Sequence, residues 1–538
     1  MKKTYFLCSI ILFVCINHTI EAQTKPNIVI IHTDDNDFYH WGFGGGPLLS
    51  PTIDRIAKEG IKATEYHVTS SVCTPSRYSL LTGKYAGRCE EEVFTKAFPT
   101  DKPYSVEWNT FIDAEKETIF PKILSANGYN TAFVGKWHLF KDVYKEKFDA
   151  NENYLASETD KKLKEMQADA VAKIKKCGFD YAASVVIANN DDHPLRELQY
   201  HNLDWTAKGA VDFINLQKKE KPFFMIVNTT GHHGPCLEES IDQPISKTYA
   251  GKIEGMEGLL PPRSSIRDRI VKKGYVPNFE TISTVWTDDC VNAIFKALEK
   301  NKLDKNTVII FISDHNRHYN KGTCYRSGTR TVFAMRYPEK IAECSSTDLP
   351  FQNIDLYPTL LDMANIKLPQ SVKTDGKSVW DELLGKKPST AMKEMFFEFG
   401  YARAIQWGRW RYIATRLPQP QIEMMKTGKA TKALNITGKQ AFTMPLFKFY
   451  PQYFDTDQLY DIATDPDEQM NLANDATLAD TLQVLKQKLQ KYTLSFRHPF
   501  DVMNTNEYFQ SEAYKELVKK SFSPEEIKNN YWIQKKCY

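Results

Sequence analysis

Two short runs place carboxylates directly after apolar segments. Thr33-Asp34-Asp35-Asn36-Asp37 follows residues 27–32, and Ser313-Asp314-His315-Asn316 follows residues 308–312. Adjacent carboxylates repel one another unless a cation sits between them, and aspartate oxygens favour a hard divalent ion such as Ca²⁺ or Mg²⁺. One such pair reads equally well as a capped, solvated turn. Two, each ending an apolar run, point to a metal. A third run, Cys73-Thr74-Pro75-Ser76-Arg77-Tyr78-Ser79-Leu80-Leu81-Thr82-Gly83-Lys84, sets a cysteine ahead of proline and arginine. Its plain reading is a buried small residue at a loop-to-helix junction. Its chemical reading is a nucleophile whose thiol is lowered in pKa by Arg77, one turn along. Spacing does not choose between the two.

These groups need a scaffold that brings them together. Residues 27–32, 131–134, 223–227 and 308–312 are apolar runs without alternation, as in strands buried on both faces. Helical patterns lie between them. Ser50-Pro51 opens a segment with Ile53, Ile56, Ala57 and Ile61 on one face, and Val291, Ile294, Phe295 and Leu298 repeat the same stripe. Strands alternating with helices predict a mainly parallel sheet flanked by helices, with ligands at its carboxyl edge. After about residue 390 the texture changes. Residues 395–399, 402–407 and 410–414, with a turn at Gly408, predict an antiparallel meander. Residues 417–453, carrying Lys426, Lys429, Lys432 and Lys439, read as a long loop, either a substrate wall or solvated. Leu478, Leu482, Leu485, Leu489 and Tyr492 mark one amphipathic helix. The layout is therefore one large α/β domain with a smaller α+β subdomain after it.

Of the 538 residues 42% are hydrophobic and 25% charged, an ordinary globular balance. Lys+Arg 70 against Asp+Glu 67 leaves a net charge of +3, so no global field attracts nucleic acid, and anion specificity must sit in a local pocket. Lys2 and Lys3, the apolar residues 5–16 and Ile20-Glu21-Ala22-Gln23 read as an export signal cleaved after Ala22. That run is shorter than the ~20 residues of a membrane span, and Phe13-Val14 is a poor lipidation context for Cys15. The expected location is the bacterial periplasm or beyond. Cys8 and Cys15 leave with the signal. Cys73, Cys89, Cys177, Cys236, Cys290, Cys324, Cys344 and Cys537 remain, too dilute for a disulfide scaffold and with pairing that sequence does not reveal.

The run from Cys73 to Gly83 is similar to the sulfatase signature, Cys-x-Pro-Ser-Arg followed by four residues and Thr-Gly. Other landmarks of that family follow in order. Pro26-Asn27-Ile28 through Asp34-Asp35 resembles the opening strand and metal pair, and Pro51-Thr52-Ile53-Asp54-Arg55-Ile56-Ala57 the first helix. Gly135-Lys136-Trp137-His138-Leu139 is intact, and His233-Gly234-Pro235 resembles the family's His-x-Pro. Ser313-Asp314-His315 resembles the second metal pair and Lys321-Gly322-Thr323 the late lysine; Leu459-Tyr460-Asp461 to Ala473 is like the closing motif.

The resemblance, to formylglycine-dependent sulfatases, implies an alkaline-phosphatase-like α/β core and a sulfuric ester hydrolase. On that carry-over residues 1–22 are the signal, 23–390 the catalytic domain and 391–538 the C-terminal subdomain with its antiparallel sheet. A maturation enzyme would oxidise Cys73 to formylglycine, whose hydrate attacks sulfur and later eliminates sulfate. Asp34, Asp35, Asp314 and His315, with residue 73, would hold Ca²⁺, ahead of Mg²⁺. Arg77 and Lys136 would stabilise developing charge, and Lys136 and Lys321 would bind sulfate. His138 would be the base of the elimination. His233, favoured over His232 by the His-x-Pro register, would protonate the leaving group. His40, His67 and His318 receive no role.

The sequence departs from the family at two places. Asn316 stands where glycine is common, and Arg326 replaces an acid in Tyr325-Arg326-Ser327-Gly328-Thr329-Arg330. Both put the shape of the substrate pocket in question. Arg326 is either an extra cation for a polyanionic substrate or one half of an ion pair. The expected substrate is a sulfated carbohydrate, from algal polysaccharide or glycosaminoglycan. The alternatives are a formylglycine-dependent phosphonate or phosphate ester hydrolase and a non-catalytic carbohydrate-binding homologue. The intact signature, metal pairs and lysines argue against the last.

Overall fold

The computed structural model describes residues 25–503, apart from residues 101, 142–147, 236, 318–320, 389–392, 420–449, 451 and 454. The expected export signal, Cys236, Cys537, His318 and Lys426, Lys429, Lys432 and Lys439 of the 417–453 stretch lie outside the described residues. No helix among the described residues is long and apolar enough to cross a membrane.

Eight strands make the central sheet: β1 (Asn27–Thr33), β2 (Ile61–Ala63), β3 (Asn130–Lys136), β4 (Tyr181–Val186), β5 (Phe223–Asn228), β6 (Thr307–Ser313), β7 (Phe333–Arg336) and β8 (Ser345–Thr347). Their order is β8-β2-β7-β6-β1-β5-β3-β4. β1 pairs parallel with both β5 and β6, and β3 pairs parallel with β5 and β4. β7 runs antiparallel to β6 and β2, so the sheet is mainly, not wholly, parallel.

The missing alternation in β1 has a direct cause. Ile28 and Ile30 enter one core and Val29 and Ile31 the other, all fully buried. One face is covered by α1 (Pro51–Lys58), α3 (Leu203–Asn215) and α4 (Phe279–Lys300), through Ile53 and Ile56, Phe213 and Ile214, and Val291 and Ile294. The other is covered by α2 (Cys73–Thr82) and α5 (Asn353–Met363), through Leu80, Leu81, Leu356 and Leu360. The four expected runs are β1, β3, β5 and β6. β4 escaped the reading because Tyr181, Ala182 and Ala183 are only half-buried and carry no apolar run.

The C-terminal sheet is an antiparallel meander of β9 (Glu394–Phe399), β10 (Ala402–Trp407), β11 (Trp410–Thr415) and β12 (Asp457–Asp461). Its first three strands follow the sequence pattern, and β12 is an addition. One face takes α6 (Ala479–Thr493), whose Leu485 and Leu489 pack on Phe396, Ile405 and Tyr412. The other turns Phe397, Phe399 and Ile413 toward Val72, Cys324 and Tyr325. The meander therefore packs against the residue that precedes Cys73.

α1 starts without a side-chain cap from Ser50. Asp288 of α4 takes that place, accepting from the backbone N–H of Thr52 at 2.9 Å and of Ile53 at 2.8 Å. Burial pushes its carboxyl from the ordinary 3.8 up to about 7. The folded chain therefore keeps a proton that the unfolded chain releases, and stability is lost as pH rises from about 4 to about 7. The loss is at most about 4 kcal/mol. Asp288→Asn keeps the acceptor oxygen without the charge. Its urea midpoint is expected to exceed that of the native chain at pH 8, with the gap closing toward pH 4.

Candidate active site

β1 and β6 are neighbours in register, Thr33 opposite Ser313, so their two polar ends lie side by side. The backbone interlocks them. The N–H of Asp35 donates to Asp314 Oδ1 at 3.1 Å, that of Asn36 to Ser313 Oγ at 3.0 Å, and that of Asp314 to the Thr33 carbonyl at 3.1 Å. Asp35 adopts φ 56°, a left-handed conformation that aspartate tolerates better than most residues.

Cys73 is the first residue of α2, and all ten residues of that helix are buried. Its Sγ lies 3.3 Å from His315 Nε2 and 3.8 Å from Asp34 Oδ1. Ser76 Oγ donates to the Asp314 carbonyl, and Asn353 Nδ2 donates to the carbonyl and Oγ of Ser76 at 3.0 and 3.1 Å. The helix is thus pinned to the loop after β6 on one side and to α5 on the other. Arg77, one turn on, directs Nη2 to Asp314 Oδ2 at 3.0 Å and to Asp34 Oδ1 at 3.3 Å. The expectation that Arg77 lowers the Cys73 thiol is corrected here. Burial pushes the thiol well up, in spite of Lys136 and Lys321.

Lys136 ends β3 and is fully buried. Its Nζ donates to Asp34 Oδ2 and to Asn189 Oδ1, the latter at 2.6 Å. Gly135 before it has φ 94°, and a Cβ there would fall 1.9 Å from the Asn228 carbonyl, so only glycine fits. Lys321 lies 2.8 and 3.0 Å from the two Asp35 oxygens. Burial alone would raise Asp35; Lys321 and His315 instead hold it at about 2. Lys136, His233 and Arg77 likewise outweigh burial at Asp34 and hold it well down. Asp314 goes the other way, raised by burial and by Asp34 beside it.

His233 follows β5 among Lys136, Asp34, Asp35 and Lys321, and burial followed by Lys136 pushes it down to about 3. Its Nδ1 contacts the Gly234 carbonyl. His138 is buried with φ 57°, and its Nδ1 has no hydrogen-bond partner among the described residues. His232, the rival of His233, points elsewhere, Nε2 lying 3.2 Å from Thr284 Oγ1.

One ligand atom from each of Asp34, Asp35, Cys73 and His315 lies within 4.8 Å of the others, and all four residues are buried. Asp314 adjoins them, Oδ1 lying 3.7 Å from His315 Nε2. Three crowded carboxylates with one imidazole are a donor set suited to a hard divalent ion, and the charge they concentrate is the load such an ion relieves. The residues present fit the metal.

Several supporting residues escaped the sequence reading. Asn189 and Asn228 hold Lys136, the latter donating to its carbonyl at 2.7 Å. Glu280 of α4 binds His40 Nε2 at 3.0 Å and also pairs with Arg317, whose backbone N–H donates to Asp37 Oδ1 at 3.2 Å. Asp37 N–H donates to His40 Nδ1 at 3.0 Å. The His40 ring also stacks on His232 at 4.7 Å. This clasp ties together the loops after β1, β5 and β6. Its sequence signal was a charged or imidazole residue just beyond each motif. Arg326 is half of an ion pair with Glu65, and its N–H donates to Glu468 Oε2 at 2.5 Å. It is therefore engaged with acids of its own chain.

The family model for sulfatases matches residues 26–366. The chain belongs to the sulfatase family. An ulvan-active sulfatase of Formosa agariphila is 26% identical over 79% of this chain and 80% of its own. The N-acetylglucosamine-6-O-sulfatase of Bacteroides thetaiotaomicron is 24% identical over 90% and 89%. Among solved structures, one from the glycosaminoglycan metabolism of Bacteroides thetaiotaomicron superposes with TM-score 0.59 at 20% identity, covering 87% of this chain and 99% of that one. Ps i-CgsB in complex with k-i-k-neocarrahexaose superposes with TM-score 0.58 at 18% identity, covering 93% and 98%. These neighbours share the fold: a mainly parallel central sheet with helices and a C-terminal antiparallel sheet. The sulfatase is a sulfuric ester hydrolase.

Asn189→Ala removes one of the two side-chain acceptors of the Lys136 ammonium. Aryl sulfate turnover, measured as kcat/KM, is expected to fall about tenfold, or ~1.4 kcal/mol. The melting temperature is expected to stay within a few degrees.

Proposed function

We propose that this sulfatase, exported without residues 1–22, removes sulfate from a carbohydrate, an algal polysaccharide or a glycosaminoglycan oligosaccharide. The observation that carries the reading is the convergence of Cys73 with Asp34, Asp35 and His315, with Asp314 adjoining, at one buried sheet edge. Support for the substrate class comes from relatives whose names specify ulvan and N-acetylglucosamine-6-O-sulfate chemistry, and from a neighbouring structure described in complex with D-glucosamine-2-N,6-O-disulfate.

Residue 73 is read as formylglycine made by a maturation enzyme, and Asp34, Asp35, Asp314, His315 and residue 73 as the holders of Ca²⁺. When present, the hydrated aldehyde supplies the attacking hydroxyl and the metal polarises the sulfate oxygens. The remaining work falls to the chain's own residues. Arg77 and Lys136 are buried and hydrogen-bonded, so their charge is in place before negative charge develops and does not reorganise with it. Lys321 is the more accessible lysine, at 11% exposure, and meets the sulfate from the mouth of the pocket. His233, which burial and Lys136 keep neutral in the absence of substrate, is read as the proton donor to the departing alcohol oxygen, its proton affinity raised by the negative charge of the bound sulfate ester. His138, whose Nδ1 has no hydrogen-bond partner among the described residues, takes a proton as sulfate leaves.

Two experiments test the reading. Mass spectrometry of the peptide containing residue 73, from cells that carry the maturation enzyme, is expected to show an aldehyde in place of the thiol. Cys73→Ala is expected to lower aryl sulfate turnover at least ~10³-fold. An unmodified thiol in fully active enzyme overturns the formylglycine assignment, and faster turnover of aryl phosphate than aryl sulfate overturns the ester class. Calcium added to chelator-treated protein is expected to raise the melting temperature, by about 2.7 kcal/mol of stabilisation at a hundredfold excess over Kd. In Asp35→Asn that gain is expected to shrink severalfold.

A further inference from the structure

The turn that carries His233 is held from several sides. Thr229 N–H donates to the His32 carbonyl at 3.0 Å, which fixes the start of the turn to the end of β1, and His233 N–H donates to the Thr230 carbonyl at 3.3 Å. His232 takes φ 70°, a left-handed conformation that a histidine keeps only where its surroundings impose it. A further hold comes from His201, a buried residue outside every sequence motif. Its Nδ1 lies 2.9 Å from Thr230 Oγ1 and its Nε2 lies 3.1 Å from the Pro235 carbonyl. A carbonyl only accepts, so Nε2 is the donor of that bond, and Nδ1 accepts from the Thr230 hydroxyl. Burial pulls the ring down to about 4 and so keeps it neutral. One imidazole therefore bridges the two flanks of the His232-His233-Gly234 segment.

His201 itself stands on a fixed base. Its N–H donates to Ser240 Oγ at 2.9 Å. The next residue, Asn202, caps α3 by accepting from Trp205 N–H at 2.9 Å, and it donates to the Ile245 and Lys247 carbonyls, each at 2.8 Å. Arg263 Nη2 donates to Asn202 Oδ1 at 2.7 Å. The bridge thus refers the position of the turn to the start of α3. A histidine that only filled space would be satisfied by any pair of partners. This one takes the residues on either side of the candidate proton donor, whose misplacement by about 1 Å is enough to cost ~10²-fold in rate.

We propose that His201 is a positioning residue: bonded to Thr230 and Pro235, it holds the His233 ring in line with the departing oxygen. The inference rests on the reading of His233 as proton donor and deepens it. Positioning differs from packing in what it slows. A donor out of line retards the departure of a basic alcohol far more than that of an acidic phenol, which leaves as its anion unaided.

The test compares para-nitrophenyl sulfate, with an acidic leaving group, and para-cresyl sulfate, with a basic one. In His201→Ala, kcat/KM is expected to fall about 30-fold on the para-cresyl ester and less than about threefold on the para-nitrophenyl ester. His201→Gln keeps a donor for the Pro235 carbonyl and is expected to stay within about threefold of the native enzyme on both. Should His201→Ala not fold, Thr230→Val removes one of the two bonds and is expected to lose about fivefold on the para-cresyl ester alone. His233→Ala is the reference, with an expected loss of at least ~10²-fold on the para-cresyl ester and a much smaller one on the para-nitrophenyl ester. If His233→Ala discriminates between the esters while the His201 and Thr230 variants lose equally on both, or lose nothing, the positioning role is overturned and the reading of His233 stands. If His233→Ala does not discriminate, the proton-donor reading is overturned, and this inference with it.

Discussion

Three carboxylates buried at one sheet edge are the constraint on which the rest of this structure depends. Asp34, Asp35 and Asp314 are at most 5% exposed, and unpaired charges at that depth would not be tolerated. The chain answers with cations from three separate elements: Arg77 from the buried helix α2, Lys136 from the end of β3, and Lys321 from the loop after β6. Each can reach only if β6, β1, β5 and β3 lie in that order. Sheet topology and site electrostatics are therefore one requirement. The same balance explains why a near-neutral chain is equipped for an anion: its positive charge is local, and mutual pairing holds it there.

Support for the site extends well beyond the sheet. α2 is enclosed on every side, which is why its sequence shows no apolar stripe. The C-terminal meander contributes to that enclosure through Phe397 and Phe399 near Val72. Arg411 of β11 reaches the Cys324 carbonyl at 3.0 and 2.6 Å and Glu468 Oε1 at 3.3 Å, so the meander also steadies the loop that carries Lys321. A buried arginine tied to a backbone carbonyl resists displacement, because moving it would strand both groups without partners. The pocket is consequently shaped by residues far outside the 26–366 match to the family model.

Legibility in the sequence followed physical lines. β1, β3, β5 and β6 were readable because burial on both faces removes alternation, whereas β4, at the sheet edge and half-exposed, left no comparable mark. The motif residues were readable because their chemistry is written in contiguous runs. Asn189, Asn228 and Glu280 were not, since an asparagine or glutamate at a strand end or on a helix looks like any solvated residue until its partner is known. Arg326 illustrates the same limit. Its sequence environment allowed either a pocket cation or an ion pair, and Glu65, 261 residues away, decided for the ion pair.

The sequence by itself determined the inventory and order of the chemical groups: the Cys73 signature, the Asp34-Asp35 and Asp314-His315 pairs, the lysines and the other histidines, and the α/β class that gathers them at strand ends. Tertiary structure decided who pairs with whom. Arg77 spends its charge on Asp34 and on Asp314, 237 residues distant, and does not activate the thiol that burial holds protonated. His233 stands at the site while His232 faces Thr284. Local patterns encode backbone conformation and residue type, but pairing and burial arise from contacts between segments hundreds of residues apart. Those contacts exist only once the strands have taken their order.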